Sequence, residues 1–208
     1  MGNLSSLAKG ESSGGAHIAA ENLACVRGEK LLFRDLNFTC EAGSALHVTG
    51  ANGTGKSSLM RLLAGLLRPY AGAVHTAGPL ALSDERLALD THWTLEHALG
   101  FWAQIDGADK MKIASALEAV DMPDLADVPV RYFSTGQRKR AALARVMVSG
   151  ADIWLLDEPA NGLDTASVER LGTLMQAHLD GGGIIIAASH QPLPLAHPIQ
   201  LPLEDFRP

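Results

Sequence analysis

The chain has no apolar run that approaches the ~18 residues of a membrane-spanning helix. Its strongest run, Gly183-Ile184-Ile185-Ile186-Ala187-Ala188, has only the length of a buried strand. It also lacks a surplus of basic residues. Seventeen Lys and Arg stand against 23 Asp and Glu, for a net charge of −6. That balance argues against broad binding along a phosphate backbone, and so against a nucleic-acid partner. Cysteine is scarce. Cys25 and Cys40 have no metal-ligand spacing and fall in strand-like segments. They read as core thiols of a reducing compartment, with a disulfide as the lesser alternative. Seven of the eight histidines (17, 47, 75, 92, 97, 178 and 197) form no compact ligand pattern. There is no internal repeat. Low complexity is confined to a Gly- and Ser-rich start, read as a flexible tail over residues 1–16 without the apolar stretch of a secretory signal. These absences predict a soluble, cytoplasmic chain that relies on other chains for any membrane span.

What is present begins with enough apolar material, 47% of 208 residues, for a real core in one or two domains. The organising stretch is Gly50-Ala51-Asn52-Gly53-Thr54-Gly55-Lys56-Ser57, followed by Ser58. It fits the phosphate-loop pattern of Gly, four residues, then Gly-Lys-Ser. The glycines let backbone N–H groups turn toward one anion. Lys56 adds a charge for the β- and γ-phosphates, and the Ser57 hydroxyl can hold Mg²⁺. Ala45 to Thr49 before the loop reads as a buried strand. Residues 58–65 after it read as a helix whose positive end faces the phosphates.

Strands are also expected at Ile18 to Val26, Leu31 to Phe33, Leu36 to Cys40 and, in short form, Ala73 to Thr76. A helix opens near Thr94, where Leu95, Ala98, Leu99 and Trp102 share a face. A second covers Met111 to Val120. Trp93, Phe101 and Trp102 read as core or partner-facing packing. Further on, Ser134-Thr135-Gly136-Gln137 precedes a long helix, Arg138 to Ser149. Alone, that quartet is an N-cap and the basic run behind it a solvated face. Next comes Ile153-Trp154-Leu155-Leu156-Asp157-Glu158, a buried strand ending in carboxylates. Asp157 can hold the Mg²⁺ from the side opposite Ser57, and Glu158 can orient or deprotonate a water. The apolar strand 183–188 then delivers Ser189 and His190 at its carboxyl end, the edge where open α/β sheets bind ligands. His190 is placed to touch a γ-phosphate or the attacking water.

Taken in order, these motifs resemble those of ABC-transporter ATPase domains, from about residue 17 to the last residue. The resemblance implies an α/β P-loop NTPase fold of the ABC type. Its parts are a mixed, mainly parallel core sheet, an N-terminal antiparallel β part, and a small helical subdomain at about 90–150 within one ATPase domain, 17–208. It implies ATP and Mg²⁺ as cofactors and hydrolysis coupled to transport. Gly50 to Ser58 become Walker A, Asp157 Walker B, Glu158 the catalytic base and His190 the switch histidine. Ala160-Asn161-Gly162-Leu163-Asp164 becomes the D-loop. Ser134, Thr135, Gly136 and Gln137 become the signature, closing on the ATP of a second subunit in an ATP-dependent head-to-tail homodimer. Integral membrane subunits are the implied partners, with this chain peripheral on the cytoplasmic face of a bacterial inner membrane.

A narrower resemblance rests on Cys25-Val26-Arg27-Gly28, Leu32-Phe33, Glu96 to Phe101 and Ser189-His190-Gln191-Pro192-Leu193. These are similar to the ATP-binding subunits of haem exporters in cytochrome c maturation, and the short length agrees. That likeness implies ATP-driven haem delivery or release of a haem chaperone. Three departures stand out. Arg27 holds the place of the usual adenine-stacking aromatic. No Gln lies between Ser57 and Trp102, with Asp84 near the place expected for one. Thr135 replaces a smaller signature residue. The alternatives are the ATPase of another small ABC transporter, an ABC ATPase acting away from membranes, and a P-loop kinase or nucleotide-binding module. The last would not need Ser134 to Gln137, Glu158 and His190 together.

Overall fold

The computed structural model describes residues 15–208. The expected tail, residues 1–16, lies outside them except for its last two residues. Among the described residues eight strands form two sheets, packed with five α-helices. β1 (His17–Arg27), β2 (Lys30–Glu41) and β4 (Ala71–Ala77) make an antiparallel sheet in the order β2-β1-β4. β3 (Ala45–Thr49), β5 (Leu80–Ser83), β6 (Ile153–Asp157), β7 (Ile184–Ala188) and β8 (Ile199–Pro202) make the second, in the order β5-β6-β7-β3-β8. Every pairing in the second sheet is parallel. The expected core sheet and N-terminal antiparallel part are both present as two separate sheets, the core sheet parallel throughout.

The apolar runs of β6 and β7 explain the layering. Alternate residues of a strand face opposite sides. Ile153, Leu155, Ile184, Ile186 and Ala188 pack toward the antiparallel sheet and α1 (Lys56–Leu63). Trp154, Leu156, Ile185 and Ala187 pack toward α2 (Leu95–Ile105), α3 (Met111–Ala119), α4 (Thr135–Ser149) and α5 (Thr165–Asp180). A sheet buried on both faces needs continuous apolar strands, and these are continuous. Both cysteines are buried and unpaired. Burial pushes the Cys40 thiol up to about 11, so it stays protonated and inert.

Several elements differ from expectation. The two strands expected within 31–40 are one, because Asp35 adopts a left-handed φ of 55° and the chain continues as a bulge. Asn37 stabilises it, accepting from the Asn22 N–H at 2.8 Å and donating to the Asp35 carbonyl at 2.9 Å. β5 and β8 were not expected. Both are four-residue edge strands, too short for a period to show. α5 was not expected either, although Leu171, Met175 and Leu179 recur at helical spacing and are buried. α1 and α4 start earlier than read, at Lys56 and Thr135, since a helix begins directly after its cap. Among the described residues, no helix is long and apolar enough to cross a membrane.

Candidate nucleotide site

The three central strands, β6, β7 and β3, deliver the site at their carboxyl ends. The phosphate loop joins β3 to α1. Gly50 sits at φ 144°, and a Cβ there would lie 2.9 Å from the Thr54 hydroxyl oxygen. Gly55, the N-cap of α1, sits at φ 111°, and a Cβ would press on the Phe33 ring at 3.2 Å. Both positions demand glycine. No side chain caps α1, so its first N–H groups remain available to an anion.

Lys56 is only 6% exposed. Its Nζ donates to the Gly50 carbonyl at 2.8 Å and to Ala51 at 3.4 Å, and stands 3.6 Å from Glu158 Oε1. Glu158 follows β6 with a left-handed φ of 49°, held there by its N–H donating to the Ala188 carbonyl at 2.8 Å. A non-glycine residue in that region costs on the order of 1–3 kcal/mol, so the neighbouring strand over-determines the turn. The other Glu158 oxygen lies 3.0 Å from His190 Nδ1. Lys139 of α4 donates to the Glu158 backbone carbonyl at 3.1 Å. Lys56, Glu158 and His190 thus form one continuous polar chain.

Asp157 is 1% exposed and neither carboxylate oxygen has a hydrogen-bond partner. Burial pushes its carboxyl above the usual range. The Ser57 hydroxyl nearby tempers that shift without completing a hydrogen bond, and the charges of Glu158 and Glu85 add to it. A buried carboxylate with both oxygens free is costly unless a cation joins it. Asp157 with Ser57 therefore fits Mg²⁺, which takes one or two protein ligands and completes its shell with phosphates and water.

A cleft of about 470 Å³ opens over these groups, walled among others by Asn52, Gly53, Gly55, Lys56, Ser57, Ser58, Glu158 and His190. Arg27 and Leu32 line it too, and among the described residues no Phe, Tyr or Trp does. Asp84 is turned away onto Arg61, at 3.0 and 3.3 Å. The next residue, Glu85, stands in the cleft wall. Only the direction of each side chain separates the two. His47, on β3, is buried, and burial lowers its basicity.

The remaining predicted residues lie elsewhere. Ser134, Thr135, Gly136 and Gln137 do not line the cleft. They form a complete capping box at α4. Ser134 Oγ accepts from the Gln137 N–H at 3.2 Å, and Gln137 Oε1 accepts from the Ser134 N–H at 2.8 Å. Of the expected D-loop, Asn161 reaches the cleft wall. Leu163 packs against the helical core, and Asp164 caps α5, accepting from the Ser167 N–H at 2.8 Å.

Comparison with known proteins agrees with this geometry. The family model described as "ABC transporter" matches residues 33–161. The chain is 54% identical over 191 residues to the cytochrome c biogenesis ATP-binding export protein CcmA of Novosphingobium aromaticivorans, covering 92% of this chain and 97% of that one. It is 53% identical over 194 residues to the protein of the same name from Zymomonas mobilis, covering 93% and 87%. Among solved structures, CbiO1 from Clostridium perfringens, part of the ABC transporter complex CbiONQ, superposes with a TM-score of 0.69. It is 24% identical, with 84% of this chain and 78% of that one covered.

Proposed function

The chain belongs to the ABC transporter family of ATP-binding proteins, and from that premise we propose that it powers an export complex serving cytochrome c biogenesis, with haem as the cargo. The observation that supports this most directly is the extent of likeness to the export proteins, more than half identical over nearly the whole chain. As an ATP-binding subunit without a spanning helix among its described residues, it works with integral membrane subunits and sits peripherally on the cytoplasmic face of the bacterial inner membrane.

The chemistry follows from the chain's own groups. The loop from Gly50 to Ser58 wraps the β- and γ-phosphates, and α1 points its free N–H groups at them. Lys56 leaves the Gly50 and Ala51 carbonyls for the phosphates, which also frees the Glu158 oxygen now 3.6 Å away. That carboxylate then accepts a proton from water as the water oxygen attacks the γ-phosphorus and the bond to ADP breaks. His190 holds the other Glu158 oxygen and orients the water. Ser57 and Asp157 would hold Mg²⁺, which would neutralise charge on the phosphate oxygens. Ser134 to Gln137 serve the ATP of a second copy, with Leu163 and Asp164 at the seam.

The test is made in the cell. A strain whose only copy carries Lys56→Ala should lose haem-stained c-type cytochromes while keeping the membrane subunits. Normal cytochrome c in that strain would refute the reading.

A further inference from the structure

The end of the chain touches the phosphate loop. β8 runs parallel beside β3, pairing from Leu46 with Ile199 to Thr49 with Pro202. It therefore leaves the sheet where the loop begins. A 3-10 turn follows, Leu203–Phe206, anchored by the fully buried Leu203 and by Phe206 against the same core. This turn brings the Glu204 carboxylate to the loop, where Oε1 accepts a hydrogen bond from the Ala51 N–H at 3.0 Å. The Arg207 guanidinium lies 3.8 Å from the same oxygen and offsets part of its charge.

The first corner of the loop is thus held by two side chains. Lys56 holds the carbonyls of Gly50 and Ala51, and Glu204 holds the N–H of Ala51. The corner needs holding, because Gly50 at φ 144° has no side chain to restrict it. When phosphates arrive they compete for Lys56, and its two bonds to the corner are lost. The bond from Glu204 requires no such change.

We propose that Glu204 is a positioning residue for nucleotide binding. It fixes the Gly50–Ala51 corner so that the N–H groups downstream stay aimed at the phosphates once Lys56 has turned to them. Glu204 touches no reacting atom, so it acts on affinity rather than on chemistry. The inference rests on the nucleotide reading of the loop.

The test compares the full chain with Glu204→Ala and Glu204→Gln, using ATP titration by calorimetry and steady-state hydrolysis. Gln keeps the acceptor and removes the charge. Glu204→Ala should raise the ATP Kd and KM about three- to tenfold, the loss expected for a partly exposed charge-assisted hydrogen bond. Its kcat should change less than twofold and its nucleotide-free melting temperature hardly at all. Glu204→Gln should restore the Kd to within about twofold of the parent. Unchanged or tighter ATP binding by Glu204→Ala overturns the proposal. So does a Gln variant as weak as Ala, or a kcat that falls with affinity. Failure of the parent chain to bind ATP would overturn the nucleotide reading itself. Normal parent binding, weakened by Lys56→Ala and untouched by Glu204→Ala, would overturn this inference alone.

Discussion

The N-termini of α1 and α4 are built on opposite plans. α1 begins at Gly55 with no side-chain cap, and its first N–H groups open onto the cleft. α4 begins at Ser134 with both halves of a capping box closed. A free helix end costs stability unless a ligand satisfies it, so α1 is left waiting for an anion. α4 is satisfied already at Gln137 and at Ser134 itself, which leaves the N–H groups of Thr135 and Gly136 for a phosphate. α4 is therefore stable on its own terms, and in the proposed dimer a second subunit's ATP would add to it rather than complete it. On the head-to-tail proposal, one chain would thus carry a site that demands a ligand and a surface that merely accepts one.

The largest effect should come from the demanding site. Glu158→Gln should slow phosphate release about 10²- to 10⁴-fold, the usual cost of losing a positioned base. ATP affinity should persist, since the carboxamide still faces Lys56. Hydrolysis near the parental rate would remove Glu158 from that role.

Next in size is Lys56→Ala. A nearly buried cation that bonds two loop carbonyls is the only side-chain charge the loop itself supplies. Charge-assisted bonds contribute about 1.5–3 kcal/mol, so ATP affinity should fall about ten- to a hundredfold. Calorimetry showing the parental Kd would mean that the open end of α1 binds phosphate without it.

The accepting surface can be tested without damaging the fold. Asp caps helices about as well as Ser. Ser134→Asp should therefore leave stability within about 0.5 kcal/mol of the parent, while placing a negative charge where a second subunit's phosphate must arrive. In a Glu158→Gln background, which should trap an ATP-bound dimer, Ser134→Asp should weaken dimerisation at least about tenfold. Light scattering with and without ATP decides it. A double variant that dimerises as well as Glu158→Gln would break the head-to-tail arrangement. Substituting Gly136 is less clean, because a Cβ there would stand 3.3 Å from the chain's own Gly162 carbonyl.

The same contrast explains what the sequence made legible. The fold followed from its motifs, because each loop residue answers to a local constraint of backbone shape and each central strand is apolar throughout. The order Lys56, Asp157, Glu158, His190 could be read because each stands directly at a strand or helix end. Direction could not be read. Asp84 and Glu85 are equally acidic neighbours, and tertiary packing alone sends one to Arg61 and the other to the cleft. Glu204 was invisible for a related reason. It meets Ala51 across 153 residues of chain through an edge strand too short to announce itself. α5 is different, since the spacing of Leu171, Met175 and Leu179 was there to be used.

The smallest effect concerns α5, whose N-cap follows a third plan: a charged residue, Asp164. Its carboxylate accepts from the Ser167 N–H, and that bond with the Ser167 hydroxyl holds the group below the usual aspartate value of 3.8. The folded state then favours the ionised form. As pH falls through 3.8 the unfolded chain takes up a proton first, so the stability contributed by Asp164 is present above that pH. It disappears as pH drops through the lower folded value. Asn caps nearly as well but carries no charge to lose. Asp164→Asn should therefore be slightly less stable than the parent at pH 7, through the lost interaction with the helix dipole. That gap should close on stepping down from pH 5 to pH 3, while Asp164→Ala stays the least stable at neutral pH. Denaturant midpoints of the three proteins across that range provide the check. A parent-to-Asn gap that does not narrow with acid would mean that α5, like α4, needs only a hydrogen-bond acceptor at its start and no charge.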